Sequence, residues 1–199
     1  MSKRADVLEL AILGLLHDSP LHGYELRKRL NGLLGVLRPL SYGTLYPALK
    51  TLLDRGWIRE TTPAGGAALA GKRAKIVYEL TAEGKEHFQS LVSQAGPDAW
   101  EDESFDVRFA FFARTEASTR LRILEGRRMR LQERVEGVRL SMARGRERLD
   151  SYTLTLQQHG LESVEREVRW LTELIDSERG GRMTHPPADD EPSSKNLTT

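Results

Sequence analysis

The chain has 199 residues, 39% of them hydrophobic, and a formal net charge of +1 at pH 7. This is enough apolar material for one ordinary folded domain or two small ones. The chain contains no cysteine, which excludes disulfide bonds, thiol nucleophiles and thiolate metal sites.

No segment is apolar for the length of a membrane span, and charged residues near the start argue against a signal peptide: Arg4, Asp6 and Glu9. We therefore expect a cytoplasmic protein. The charge is unevenly distributed along the chain. Residues 1–80 hold 12 Lys and Arg against 7 Asp and Glu, a net +5, whereas residues 81–199 hold 18 against 22, a net −4. The basic N-terminal part predicts an anionic partner there.

Two helices are predicted at the start of the chain. Apolar residues are nearly continuous from Ala5 to Leu16, so the first helix should be buried on most of its circumference. The second is expected from about His22 to Leu30. Its inward residues are predicted to be Tyr24, Leu26 and Leu30, and its outward residues the cations Arg27, Lys28 and Arg29.

The stretch from Leu40 to Gly56 predicts a third, short amphipathic helix with an unusual outer face. Its inner face carries leucines at spacings of three and four: Leu45, Leu49, Leu52 and Leu53. Its outer face mixes hydroxyls, aromatic rings and a cation: Tyr42, Thr44, Tyr46, Lys50 and Thr51. Such groups reach phosphates and base edges, so this helix is predicted to enter the major groove of DNA. Ser41 or Gly43 is expected to cap its start.

Residues 57–61 and 74–80 then read as two strands of a hairpin, joined by a loop rich in Pro, Gly and Ala. Three helices followed by a hairpin is the order of a winged helix-turn-helix. The cations Lys72, Arg73 and Lys75 at the end of the loop are expected to contact phosphates, although a merely solubilising turn is the alternative.

Three motifs in this order and spacing resemble the PadR family of bacterial transcriptional regulators: His22–Leu26, Gly43–Leu49 and Tyr78–Gly84. The resemblance covers about residues 5–90. It implies a homodimeric winged-helix protein that binds double-stranded DNA, usually as a repressor, whose C-terminal helices join two subunits and can respond to a small molecule. The wing loop is longer and richer in Ala and Gly than the family pattern.

Together these observations give a set of expected DNA contacts. From the second and third helices they are Lys28, Ser41, Tyr42, Thr44, Tyr46 and Lys50, and from the wing Lys72, Arg73 and Lys75. Thr81, followed by Glu83, is expected to cap a fourth helix that the run Gly96-Pro97-Asp98 breaks. We place the DNA-binding domain at residues 1–95, a C-terminal helical domain at 96–180 and a disordered tail at 181–199.

The C-terminal half opens with an aromatic-rich patch. Aromatic clusters are more often core than cavity, but in a regulator of this kind they are candidates to line an effector site: Trp100, Phe105 and Phe109. The fold class expected overall is mainly α with a small β hairpin.

Two apolar seams at heptad-like spacing follow, the second beginning after Gly160. The first includes Leu121, Leu124, Leu131, Val135 and Val138, and continues to Tyr152 and Leu156. The second includes Leu161, Val164, Val168, Leu171 and Ile175. The seams could cover each other as a hairpin, but their width favours a second subunit, so we assign these residues to dimerisation.

Two other classes compete with a DNA-binding repressor. In one, the winged helix is a protein-interaction module with the long helices as its docking arm. In the other, the chain is an enzyme. His17 and His22 lack a carboxylate at ligand-like spacing, and no glycine-rich loop leads into a Lys-Ser or Lys-Thr pair. We therefore expect no catalysis, no cofactor and no metal.

Overall fold

The computed structural model describes residues 3–34, 41–61, 76–145 and 150–181. Within them the chain is mostly helical with one small antiparallel sheet, as the sequence predicted. The N-terminal elements are α1 (Lys3–Asp18), β1 (Leu21–His22), α2 (Gly23–Leu34), α3 (Tyr42–Asp54), β2 (Ile58–Thr61), β3 (Val77–Leu80) and α4 (Ala82–Val92). The C-terminal helices are α5 (Asp102–Ala110), α6 (Ala117–Gly145) and α7 (Ser151–Arg179). None of the described helices is long and apolar enough to cross a lipid bilayer.

The sheet has three strands, in the order β1-β3-β2, where the sequence predicted two. The hairpin pairs Ile58 with Leu80 and Thr61 with Val77. The extra strand, Leu21–His22, pairs antiparallel with β3 and delays the start of α2 to Gly23. Two residues are too short to show an alternating pattern, so the sequence could not reveal this strand. The expected loop cations lie in 62–75, outside the described residues.

The first core is organised around α1, which is buried on most of its circumference as predicted. Leucines from α2 and α3 pack on it, and α4 adds Phe88. Thr81 caps α4 as expected, because its hydroxyl accepts a hydrogen bond from the Gly84 amide at 3.0 Å. These contacts hold α3 against the first core.

Helix α5 packs against both cores of the molecule. Val107 and Phe111 belong to the first core, whereas Phe105 belongs to a second core with α6 and α7. Phe111 lies directly against Gly14, where an added Cβ would come within 2.2 Å of the phenyl Cζ. The absence of a side chain at Gly14 thus creates the notch that receives Phe111.

The two long helices α6 and α7 form a hairpin within one chain, so the two seams cover each other. The expected break at Gly160 is wrong: α7 runs through it, α6 ends at Gly145 and α7 begins at Ser151. Asp150 begins the second helix, because its carboxylate accepts hydrogen bonds from the amides of Tyr152 and Thr153 at 2.9 and 3.0 Å. This capping strengthens a helix start that an apolar pattern cannot reveal.

Candidate nucleic-acid interface

Helix α3 presents a buried leucine face and an exposed polar and aromatic face, as its sequence predicted. Leu45, Leu49 and Leu52 are buried in the first core, whereas Tyr42 and Tyr46 are 44% and 43% exposed. Ser41 occupies the N-cap position with an extended backbone, and its carbonyl accepts a hydrogen bond from the Leu45 amide at 3.1 Å. The aromatic residues are therefore held on a fixed support and project into solvent.

The hydroxyls at the start of α3 form a local pair. The Ser41 and Thr44 side-chain oxygens lie 3.0 Å apart, and both residues are exposed. The Ser41 side chain makes no capping hydrogen bond to the helix amides. Because a hydroxyl both donates and accepts, this pair can still bond a phosphate or a base edge.

Two tyrosines and one arginine form a stack across α2 and α3. The Tyr42 and Tyr46 rings are stacked with centroids 5.9 Å apart and an interplanar angle of 18°. On Tyr42 lies the guanidinium of Arg27, with Cζ 3.9 Å from the ring centroid. This cation–π contact links α2 to the outer face of α3.

Tyr24 is exposed, and its assignment to the core is wrong. Its relative exposure is 69%, whereas Leu26 and Leu30 are fully buried as predicted. The sequence contained the information needed to avoid this error. Tyr24 and Lys28 are four residues apart and must share a helix face, and Lys28 was correctly placed outward. The outer face of α2 therefore combines Tyr24, Arg27 and Lys28.

The cations around α3 differ in their partners. The Nζ of Lys50 contacts Asp54 at 2.8 Å, and Arg29 contacts Glu25 at 3.0 Å, each one helical turn away. For Lys28, which is exposed, the described part of the chain provides no carboxylate within ion-pair distance. An anionic ligand would compete with Asp54 for Lys50, but not with any described acid for Lys28.

The described part of the β2–β3 hairpin lies beside the exposed face of α3. The expected wing contacts Lys72, Arg73 and Lys75 fall outside the described residues. Tyr78 is buried, and Glu60 is its cross-strand neighbour. Burial, and then the negative charge of Glu60, raise the pKa of Tyr78 to about 12. A cleft of about 190 Å³ lies between these elements and is lined by Gly23, Tyr46, Ile76 and Tyr78.

Two of the three expected effector residues, Phe105 and Phe109, belong to a tightly packed aromatic group. Phe105 is only 2% exposed, and the Phe109 ring lies 5.0 Å from Phe112 and 5.3 Å from Trp170. Trp100 lies against Gly126 on α6, where an added Cβ would come within 1.8 Å of the indole. Phe105 and Phe109 therefore belong to the second core, the alternative that the sequence left open, whereas Trp100 packs on α6.

A buried arginine on α6 joins this aromatic group to the two long helices. Arg127 is 7% exposed and lies over the Phe105 ring, with Cζ 5.0 Å from its centroid. Its guanidinium donates to Glu167 at 2.9 Å, to the Trp100 carbonyl at 3.0 Å and to Asp102 at 2.5 Å. One side chain thus joins the segment before α5 to both long helices.

The residues assigned to dimerisation divide into two groups in the structure. Five are buried within their own chain, chiefly in the hairpin: Leu124, Leu131, Val135, Leu171 and Ile175. The other five are half-buried: Leu121, Val138, Leu161, Val164 and Val168. Several apolar residues of the hairpin are more exposed, namely Met129, Leu140, Tyr152, Leu156 and Trp170.

The match to a protein family lies in the N-terminal part of the chain. The model of the transcriptional regulator PadR-like family matches residues 12–90. A relative in Bacillus subtilis, the negative transcriptional regulator PadR, is 35% identical over 99 residues, which are 49% of this chain and 52% of the relative. The chain thus spans about half the length of this curated relative.

Solved structures of other proteins align with most of this chain. The crystal structure of Bacillus subtilis PadR in complex with operator DNA matches with a TM-score of 0.40 and 23% identity, covering 86% of this chain and 99% of the other. A PadR-like transcriptional regulator from Bacillus cereus matches with a TM-score of 0.38 and 20% identity, covering 89% and 99%.

Proposed function

We propose a function on one premise, that this chain belongs through residues 12–90 to the PadR-like family of transcriptional regulators. The protein binds double-stranded operator DNA in the cytoplasm as a homodimer. It represses transcription there, and a small-molecule effector releases it. The recognition helix is α3, with Ser41, Tyr42, Thr44, Tyr46 and Lys50 at the major groove and Lys28 at the flanking phosphates.

The observation that carries this proposal is the exposed aromatic and hydroxyl face of α3. A surface helix normally hides its aromatic rings, yet Tyr42 and Tyr46 are each more than 40% exposed. Their apolar ring edges can contact thymine methyl groups, and their hydroxyls can donate to phosphates or base acceptors. Lys28 and Arg27 on the adjacent helix supply positive charge beside them.

The proposed homodimer is supported by apolar side chains of α6 and α7 that remain exposed in the single chain. A single winged helix reads one half-site, so two must be held at a separation of about one helical turn of DNA. Val138 on α6 and Leu161 on α7 are only half-buried, and Leu140, Tyr152 and Leu156 near the adjoining ends of the two helices are exposed. A second copy packed along the hairpin would remove this apolar area from water.

An effector site is supported by the position of the aromatic group. Phe105 and Phe109 lie on α5, which packs against both the DNA-binding core and the hairpin. A planar aromatic molecule that separates these rings would move α5 relative to α1 and change the spacing of the two recognition helices. Trp100, Phe105 and Phe109 are the side chains that such a ligand would touch.

The test is a titration of the full chain on a random-sequence DNA duplex and on duplexes selected from genomic fragments of the source organism. Binding should weaken steeply with salt, because phosphates are being neutralised. Tyr46→Ala should reduce the preference for the selected duplexes, whereas Lys28→Ala should weaken both probes and lower the salt slope by about one. Binding that is absent, or insensitive to salt, would favour a protein-interaction module instead.

A further inference from the structure

Arg27 lies beside the recognition helix in an arrangement that suits a role in DNA binding. Its guanidinium covers the Tyr42 ring at 3.9 Å, and Tyr42 in turn stacks on Tyr46. The stack therefore runs from α2 to the middle of the exposed face of α3. Tyr24 and Lys28 lie on the same side of α2 and are exposed.

The electrostatic environment distinguishes Arg27 from the paired cations Arg29 and Lys50. Arg29 is bound to Glu25 and Lys50 to Asp54, so each of these cations is already partly neutralised. Among the described residues, no carboxylate forms an ion pair with Arg27, whose guanidinium instead lies on the Tyr42 ring. The charge on Arg27 is therefore available to an anion.

The chemistry of the guanidinium allows both contacts at once. It is planar, and a ring that covers its face leaves the N–H groups at its edge free to donate. Two of those N–H groups match the spacing of two phosphate oxygens. An arginine held on an aromatic ring also loses less conformational entropy on binding than a free one, because the ring already restricts its rotamers.

We propose that Arg27 donates hydrogen bonds to a phosphate of the DNA backbone beside the groove that α3 enters, while its face remains on Tyr42. The inference rests on the proposed function. Arg27 is then both a phosphate contact and a positioning residue for the Tyr42–Tyr46 pair. A backbone contact of this kind adds affinity on every sequence and sets the angle at which α3 approaches the bases.

Three variants of the full chain separate the two roles. Arg27→Ala should weaken binding by roughly tenfold on both a random duplex and the selected duplex, and should lower the salt slope by about one. Arg27→Lys keeps the charge but loses the planar fork, so the slope should stay at the wild-type value while affinity falls several-fold. Tyr42→Leu removes the ring under Arg27, and should likewise leave the slope unchanged while affinity falls.

Arg144→Ala is the matched control, since it removes one exposed positive charge from the last turn of α6, at the far end of the hairpin. It should leave both affinity and slope unchanged. An Arg27→Ala variant with the wild-type slope would overturn the phosphate contact, and so would a loss confined to the selected duplex. If the wild-type chain itself shows no salt-dependent binding, the proposed function fails rather than the role of Arg27 within it.

Discussion

Arg120 and Glu178 join the start of α6 to the end of α7 through a bidentate ion pair. The Nε and Nη2 atoms of Arg120 lie 2.8 and 2.7 Å from the two carboxylate oxygens of Glu178. The remaining Nη1 donates to the carbonyls of Thr115 and Phe112 at 2.6 and 3.3 Å. The Glu178 side chain is only 5% exposed, so this pair is largely removed from water.

Glu178→Ala should lower the free energy of unfolding by about 2–4 kcal/mol, because it leaves the half-buried Arg120 without its counter-charge. Chemical denaturation followed by circular dichroism measures the change. Glu173→Ala, which removes an exposed carboxylate of the same helix, should cost less than about 0.5 kcal/mol. Equal effects of the two variants would show that the Arg120–Glu178 pair has no special role in stability.

Gly14→Ala should be destabilising by about 1–3 kcal/mol, since the new methyl group would overlap the buried Phe111 ring. The companion variant Phe111→Leu opens space at the same point. If the overlap is the cause, combining the two changes should cost less than the sum of the single changes, as a double-mutant cycle of thermal or chemical unfolding would detect. If the two changes in the free energy of unfolding simply add, overlap with the Phe111 ring is not the cause of the loss in Gly14→Ala.

Stability should fall as the pH drops below about 6.5 through the contribution of His17. Burial, and then the positive charge of Arg114, lower the pKa of His17 in the folded chain. The unfolded chain therefore binds this proton more readily, so the contribution of His17 is complete above the unfolded pKa and is lost as the pH falls toward the folded one. Titration by nuclear magnetic resonance should give a His17 pKa below 6.5, and His17→Gln should reduce the loss of stability between pH 7 and 5. A pKa above 6.5 would contradict this assignment.

Asp54→Asn should strengthen DNA binding, because it releases Lys50 from its 2.8 Å ion pair and removes a negative charge near the recognition helix. A several-fold gain at low salt that disappears at high salt is the expected result in a fluorescence anisotropy titration. Asp176→Asn changes the same charge on exposed surface of α7 and should have no effect. A gain in both variants would reflect net charge alone.

Leu156→Glu should convert the proposed homodimer to a monomer without unfolding the chain, because this side chain is 70% exposed within its own chain. Analytical ultracentrifugation of the variant, beside circular dichroism, separates association from folding. Gln158→Glu introduces the same charge two residues away and is expected to remain dimeric. If Leu156→Glu remains dimeric at the protein concentration at which the wild type is dimeric, a second subunit does not cover this part of α7.

The sequence predicted the buried and exposed faces of α3 well, because leucines at three-and-four spacing fix which side of the helix is buried. It failed for Tyr24, where an aromatic residue was taken as core although its partner at i+4 was a lysine. The hairpin turn was also misplaced. The apolar series continues through Tyr152 and Leu156 with the same spacing, and the break at Asp150 depends on side-chain capping that periodicity does not register. The position of the break between α6 and α7 also decides whether an apolar seam packs against its own chain or against a second one, so the spacing of apolar residues cannot predict this either.

The contact between Gly14 and Phe111 affects where the chain can be divided. The family match ends at residue 90, and a fragment that stops at 95 would lack both Val107 and Phe111, which fill one side of the N-terminal core. Such a fragment would expose an apolar notch on α1 and tend to self-associate through it. An isolated DNA-reading unit therefore needs to extend past Arg114, where the 3₁₀ turn after α5 ends.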